Sequence, residues 1–117
     1  MSKAAGRLWG IVLVAGAITL PAFAARDTTP PTITIASPTT VPTWTATGSP
    51  LTVAGTAADN VSVKSVKWAN AATGATGTAS GTNTWSASIA LAAGQNIITV
   101  TARDAAANAG TDTITVS

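Results

Sequence analysis

Very few side chains in this sequence are able to do chemistry. The acids are Asp27, Asp59, Asp104 and Asp112, with no glutamate, no histidine and no cysteine in 117 residues. Without imidazole or thiolate, the Ser-His and Cys-His nucleophiles and the usual zinc sites are excluded. Paired carboxylates remain, and glycoside hydrolysis needs two of them about 5–9.5 Å apart across a bound sugar. Asp59 and Asp104 each end a strand-like run, which places both at loop positions of one folded domain. Both are also ordinary turn formers, because a short carboxylate bonds backbone amides two residues on. No catalytic role is therefore expected.

The same residues suit a cation better. Asp59, Asn60, Asp104, Asn108 and Asp112 are hard oxygen donors near strand ends, and calcium takes six to eight such oxygens with help from backbone carbonyls. Their spacing matches no EF-hand loop. The plainer reading is that each Asp or Asn caps its own turn and that no cofactor is bound. Trp44 is the candidate ligand residue: it stands among prolines and threonines, where an exposed indole stacks on sugar rings or else folds back as a plug over the domain end. Trp68 and Trp85 keep the period of inward residues and are expected in the core. Asn60-Val61-Ser62 also matches a glycosylation sequon.

The elements that must hold these groups are strands. Ile33 and Ile35 alternate with threonines, the period of a half-buried strand. Leu51, Val53 and Gly55 repeat the pattern. Val61 and Val63 fall on one parity and Val66 and Trp68 on the other, which predicts a bulge near Lys64-Ser65. Residues 76–80 suggest a short edge strand. Trp85, Ala87 and Ile89 alternate cleanly, as do Ile98, Val100 and Ala102, and Ile114 and Val116 close the chain. Positions 37–50, with Pro38, Pro42 and Pro50, read as an irregular connection. The runs are short, β-branched and punctuated by Gly, Asn and Asp, which predicts an all-β fold of about seven antiparallel strands in two packed sheets. The expected core is Ile33, Ile35, Leu51, Val53, Val66, Trp68, Trp85, Ala87, Ile89, Ile98, Val100, Ala102, Ile114 and Val116.

The first residues carry an address rather than structure. Lys3 and Arg7 precede an apolar run from Leu8 to Leu20, then Pro21 and the small residues Ala22-Phe23-Ala24, the order of a signal peptide cut before Ala25. A retained membrane anchor is the rival reading, since an apolar span of this length approaches what a bilayer requires. Residues 25–31 read as an extended linker and 32–117 as the domain. Cleavage removes two of the six bases, so the net +2 of the whole chain falls to zero. Four scattered bases make no phosphate-binding patch, and nucleic acid is not expected as a partner.

The order of the segments Pro-Thr-Ile-Thr-Ile-Ala-Ser-Pro at 31–38, Leu-Thr-Val-Ala-Gly-Thr-Ala-Ala-Asp-Asn at 51–60, Val-Lys-Ser-Val-Lys-Trp at 63–68, Trp-Ser-Ala-Ser-Ile at 85–89 and Asn-Ile-Ile-Thr-Val-Thr-Ala-Arg-Asp-Ala-Ala-Ala-Asn-Ala-Gly at 96–110 resembles bacterial immunoglobulin-like domains of secreted and cell-surface proteins. The resemblance implies an immunoglobulin-like β-sandwich. The leader, the neutral mature charge and the strand pattern along the whole chain point to a non-catalytic module, secreted, periplasmic or on the bacterial surface, that serves structure, adhesion or protein interaction. The alternative is a carbohydrate-binding accessory module that uses Trp44 and polar loop residues on a cell-envelope glycan. One departure is Ala107, where that loop often carries glycine.

Overall fold

Threonine and alanine between buried aliphatic residues, with glycine and asparagine at the reversals, leave this chain only strands and turns to form. The computed structural model describes residues 26–117, so the leader and the choice between cleavage and anchoring lie outside the described residues. Nine strands appear in chain order: β1 Thr32–Ser37, β2 Thr43–Trp44, β3 Leu51–Ala58, β4 Val63–Asn70, β5 Ala75–Thr78, β6 Ser80–Gly81, β7 Thr84–Ile89, β8 Asn96–Asp104 and β9 Ala109–Val116. One sheet runs β2-β9-β8-β4-β5 and the other β1-β3-β7-β6. Their apolar faces pack together as a sandwich, and no helix occurs among the described residues.

Two elements depart from the sequence expectation. The 37–50 connection contains β2, which pairs in parallel with the end of β9, Thr115 opposite Thr43 and Val116 opposite Trp44. The sheet is therefore mixed rather than wholly antiparallel. Backbone bonds from Thr115 N to Pro42 O at 2.8 Å and from Ser117 N to Trp44 O at 3.0 Å close that edge, so the C-terminal part of the last strand is not open for strand addition. The second departure is at 75–81, where one expected edge strand becomes two. β5 pairs with β4 in one sheet and β6 with β7 in the other. Buried Ala79 stands between them and donates its N–H to Val66 O at 2.9 Å.

The bulge expected in β4 is present. Arg103 faces Ser65 but Asp104 faces Val63, so Lys64 has no partner in the ladder. This slip lets Val63 and Val66 both point inward. Of the expected core, all but Leu51 and Trp68 are buried; those two are half-buried and pack against it. Trp68 shares the inner parity of Val100, its register partner in β8, but its other partner is Gly77 of edge strand β5. The indole lies over Gly77, where an added Cβ would meet its ring at 2.7 Å. An edge position gives the ring cover on one side only.

Burial also includes polar groups that periodicity does not forecast. Asn70 and Asn96 are 1% exposed, at the end of the sandwich where β7 hands over to β8. Asn96 Nδ2 donates to Ala92 O at 2.9 Å and Gly94 O at 3.1 Å, while its Oδ1 accepts from Ala92 N at 2.8 Å and from Asn70 Nδ2 at 3.1 Å. Asn70 in turn donates to Ala90 O at 3.2 Å and accepts from Ala72 N at 3.0 Å. The pair satisfies loop amides that sheet ladders leave open, which is what buried polar backbone requires.

Candidate functional site

Three turns meet at the end where the chain enters the sandwich. The β3–β4 turn is fixed by Asp59, whose Oδ2 accepts from Val61 N at 3.1 Å and Ser62 N at 3.2 Å. The β8–β9 turn is built on Asp104, whose Oδ1 accepts from Ala106 N and Asn108 N, both at 2.9 Å. Ala107 in that turn has φ 69°, the left-handed region. The glycine-like turn geometry is thus kept although the residue is alanine, at a cost of roughly 1–2 kcal/mol for the Cβ.

The third segment, residues 26–31, carries no regular secondary structure and is tied to both turns. Asp27 Oδ1 accepts from Asn60 Nδ2 at 3.3 Å and from Thr29 N at 2.9 Å, and Asp27 O accepts from Asn108 Nδ2 at 3.0 Å. Pro31 is buried, and its carbonyl lies so close to Gly110 that any Cβ there would strike it.

These contacts bring carboxylate oxygens of Asp27, Asp59 and Asp104 within 4.8 Å of one another. Two oxygens on a shared calcium at 2.3–2.6 Å are at most about 5 Å apart, so the spacing fits one ion. Asn60 and Asn108 stand beside them and brace the carboxylates through their amide nitrogens, Asn60 Nδ2 donating to Asp27 Oδ1 and Asn108 Nδ2 to Asp104 Oδ2 at 2.9 Å. Asp59 Oδ1 is sealed from solvent and has no hydrogen-bond partner, an orphaned acceptor of the kind that native interiors rarely leave. Of the five residues proposed from sequence, Asp59 and Asp104 bring oxygens here, and Asn60 and Asn108 arrive as hydrogen-bond donors to the carboxylates. Asp112 does not join them: its Oδ2 accepts from Ile35 N at 2.8 Å and its Oδ1 from Thr113 N at 2.9 Å, so it stitches β9 to β1 across the sheets. The donor that sequence reading missed is Asp27. Its only signal is an acid in the short polar stretch that ends in Pro30-Pro31, which has the composition of a linker.

Burial pushes the Asp104 carboxyl up, but hydrogen bonds from the Asn108 side chain and backbone, the Asp27 carboxyl and the Ala106 backbone outweigh it and hold it below its ordinary 3.8. A depressed carboxylate contributes stability that is fully present above the unfolded value and lost as pH falls through the folded one. Urea midpoints are therefore expected to drop on acidification below about pH 4, and Asp104→Asn should flatten that drop. An equally steep acid limb in the variant would remove Asp104 from the account.

Trp44, the candidate ligand residue, sits in β2 and is 38% exposed. It lies on the β9 side of its sheet, whereas the Asp cluster is formed by the 26–31 segment and the β3–β4 and β8–β9 turns, so Trp44 contributes nothing to the cluster.

With this geometry, the sequence matches the family described as glucodextranase, domain B, over residues 31–117. The chain belongs to the glucodextranase domain B family. Among solved structures, the fibronectin(III)-like modules of Clostridium thermocellum CbhA are similar in fold, with a TM-score of 0.61 and 18% identity. The match covers 94% of this chain and 49% of that one, so this chain spans about half its length. At that identity the likeness concerns fold alone. No curated protein matches the sequence. Family membership and fold together establish an immunoglobulin-like β-sandwich of the sort carried by secreted bacterial proteins. No helix among the described residues is long and apolar enough to cross a membrane.

Proposed function

We propose that this chain is a non-catalytic extracytoplasmic module, a spacer or interaction unit whose N-terminal entry is fixed to the sandwich by a calcium ion. Membership in a family described as one domain of an enzyme, rather than as the enzyme, supports an accessory role. The observation that carries the reading is Asp27: it comes from the segment before β1 and joins the carboxylates of two loops. A module held this way keeps its entry segment against the β3–β4 and β8–β9 turns. Asp27, Asp59 and Asp104 supply charged oxygens, Asn60 and Asn108 hold two of those carboxylates in place by donating to them, and an all-oxygen set selects calcium over softer metals.

Two measurements test this. Calcium at a hundredfold above its Kd stabilises by about 2.7 kcal/mol, which raises the unfolding midpoint of a domain this size by roughly 10–20 °C. Asp59→Asn should abolish the rise, and an unchanged midpoint on adding calcium to the native protein would end the metal reading. Separately, trypsin should cut slowly after Arg26 in the calcium-loaded protein and quickly after chelation or in Asp27→Ala. Equal rates in all three would show that the entry segment is not held. Turnover of glycosides or esters that disappears in Asp104→Asn would replace the non-catalytic reading with an enzymatic one.

A further inference from the structure

The outer face of the β2-β9-β8-β4-β5 sheet carries a charge pattern unrelated to the Asp cluster. Across β8, β4 and β5 runs a groove of about 340 Å³ whose lining includes Lys67, Thr76, Thr78, Thr99, Thr101 and Arg103. Register places Thr101 opposite Lys67, Lys67 opposite Thr78, and Ala69 between Thr99 and Thr76. Arg103 lies two residues beyond Thr101 on the same face, which makes it the diagonal neighbour of Lys67, about 7–8 Å away. Both cations are exposed.

None of the chain's four acids is on this face. Asp27, Asp59 and Asp104 gather at the entry end, and Asp112 is engaged by Ile35 N. The two cations thus stand in a hydroxyl-lined groove with no carboxylate to answer them. Such a face attracts an anion, and the field of a carboxylate-free groove is not cancelled locally. The threonines add paired features: each hydroxyl donates and accepts, and each methyl offers a small apolar contact. That combination suits a sugar ring, with its hydroxyl rim and C–H faces, better than it suits a peptide backbone or a lipid headgroup.

We propose that this groove binds an acidic polysaccharide. Lys67 and Arg103 engage uronate carboxylates, and the threonines of β5 and β8 hydrogen-bond the ring hydroxyls. The site stands on β8, β4 and β5 and does not depend on Trp44 or on calcium, so it can fail while the accessory-module reading survives.

The test is affinity electrophoresis of the whole chain through gels containing polygalacturonate, dextran, polyglutamate or no polymer. Polygalacturonate should retard the native protein, and raised salt should weaken the effect because exposed charges are screened. The double variant Lys67→Gln/Arg103→Gln should lose about tenfold in affinity, equivalent to about 1.4 kcal/mol. Lys64→Gln, outside the groove, and Trp44→Ala should bind as the native protein does. Thermal midpoints confirm that each variant is folded; should the double variant not fold, the salt dependence and the single variants decide. Four results would overturn the proposal. They are no retardation by polygalacturonate, equal retardation by dextran, equal retardation by polyglutamate, which would mark a face for acidic proteins instead, or undiminished binding in the folded double variant.

Discussion

Truncating Trp85 to alanine is expected to cost about 3–5 kcal/mol, a large share of a total stability that is of order 5–15 kcal/mol for a domain. Trp85 is 1% exposed and is the largest fully buried side chain. It sits in β7 opposite Gly55 of β3. The indole occupies the space a side chain at 55 would take: a Cβ there would meet Trp85 Cζ2 at 2.9 Å and collide with the Thr34 carbonyl. The two residues therefore act as one unit, and Gly55→Ala should also destabilise strongly because backbone, not a flexible side chain, is in the way. Trp85→Phe should be milder. Trp85 Nε1 is buried without a partner, so its removal forfeits no hydrogen bond and relieves an unmet donor. Urea midpoints of the three variants check this, and a Trp85→Phe loss equal to that of Trp85→Ala would show that the indole's polar edge is satisfied after all.

The second large effect is expected at the opposite end of the sandwich. Asn96→Leu leaves Ala92 N and Asn70 Nδ2 without the acceptor they use at 2.8 and 3.1 Å. Each orphaned buried donor costs about 1–3 kcal/mol, so the loss should be about 2–6 kcal/mol. The side chain is a hub, and its removal also frees the Ala92 and Gly94 carbonyls. Residues sharing one network are not independent. The double variant Asn70→Leu/Asn96→Leu should accordingly be less unstable than the sum of the two single changes. A strictly additive cycle would show that the two asparagines serve their loops separately.

These two sites differ in how far they could be read in advance. Trp85 announces itself through the alternation Trp85, Ala87, Ile89, because a period of two is a direct image of a sheet with one buried face. The bulge in β4 was legible for the same reason: a change of parity between Val63 and Val66 has no other cheap solution. Asn70 and Asn96 were not legible as core. Asparagine in a run such as Ala93-Gly94-Gln95-Asn96 reads as a turn, and only the closing of the β7–β8 connection against the end of β4 removes it from water. Trp68 failed in the opposite sense. Its parity is inward as expected, but a pattern along one strand does not tell how near that strand's neighbour lies to the sheet edge.

The candidate site shows the same division. Asp59 and Asp104 drew notice because each ends a strand run and carries an oxygen, and Asn60 and Asn108 because they follow closely. Asp112 fitted that description equally well and yet is spent on a bond to Ile35 N. Asp27 did not fit it and yet lies within 4.8 Å of the other two.

What the sequence by itself determined is everything set by local pattern. Strand periodicity, turn residues and the absence of histidine and cysteine dictate an all-β sandwich without the common catalytic groups. What only the tertiary structure decided is which distant groups meet. The parallel strand at Thr43–Trp44, the move of the chain between sheets at Ala79 and the gathering of Asp27 with Asp59 and Asp104 all depend on contacts between residues far apart in sequence. Such contacts form when loops close over a core, and the alternation within a single strand carries no record of them.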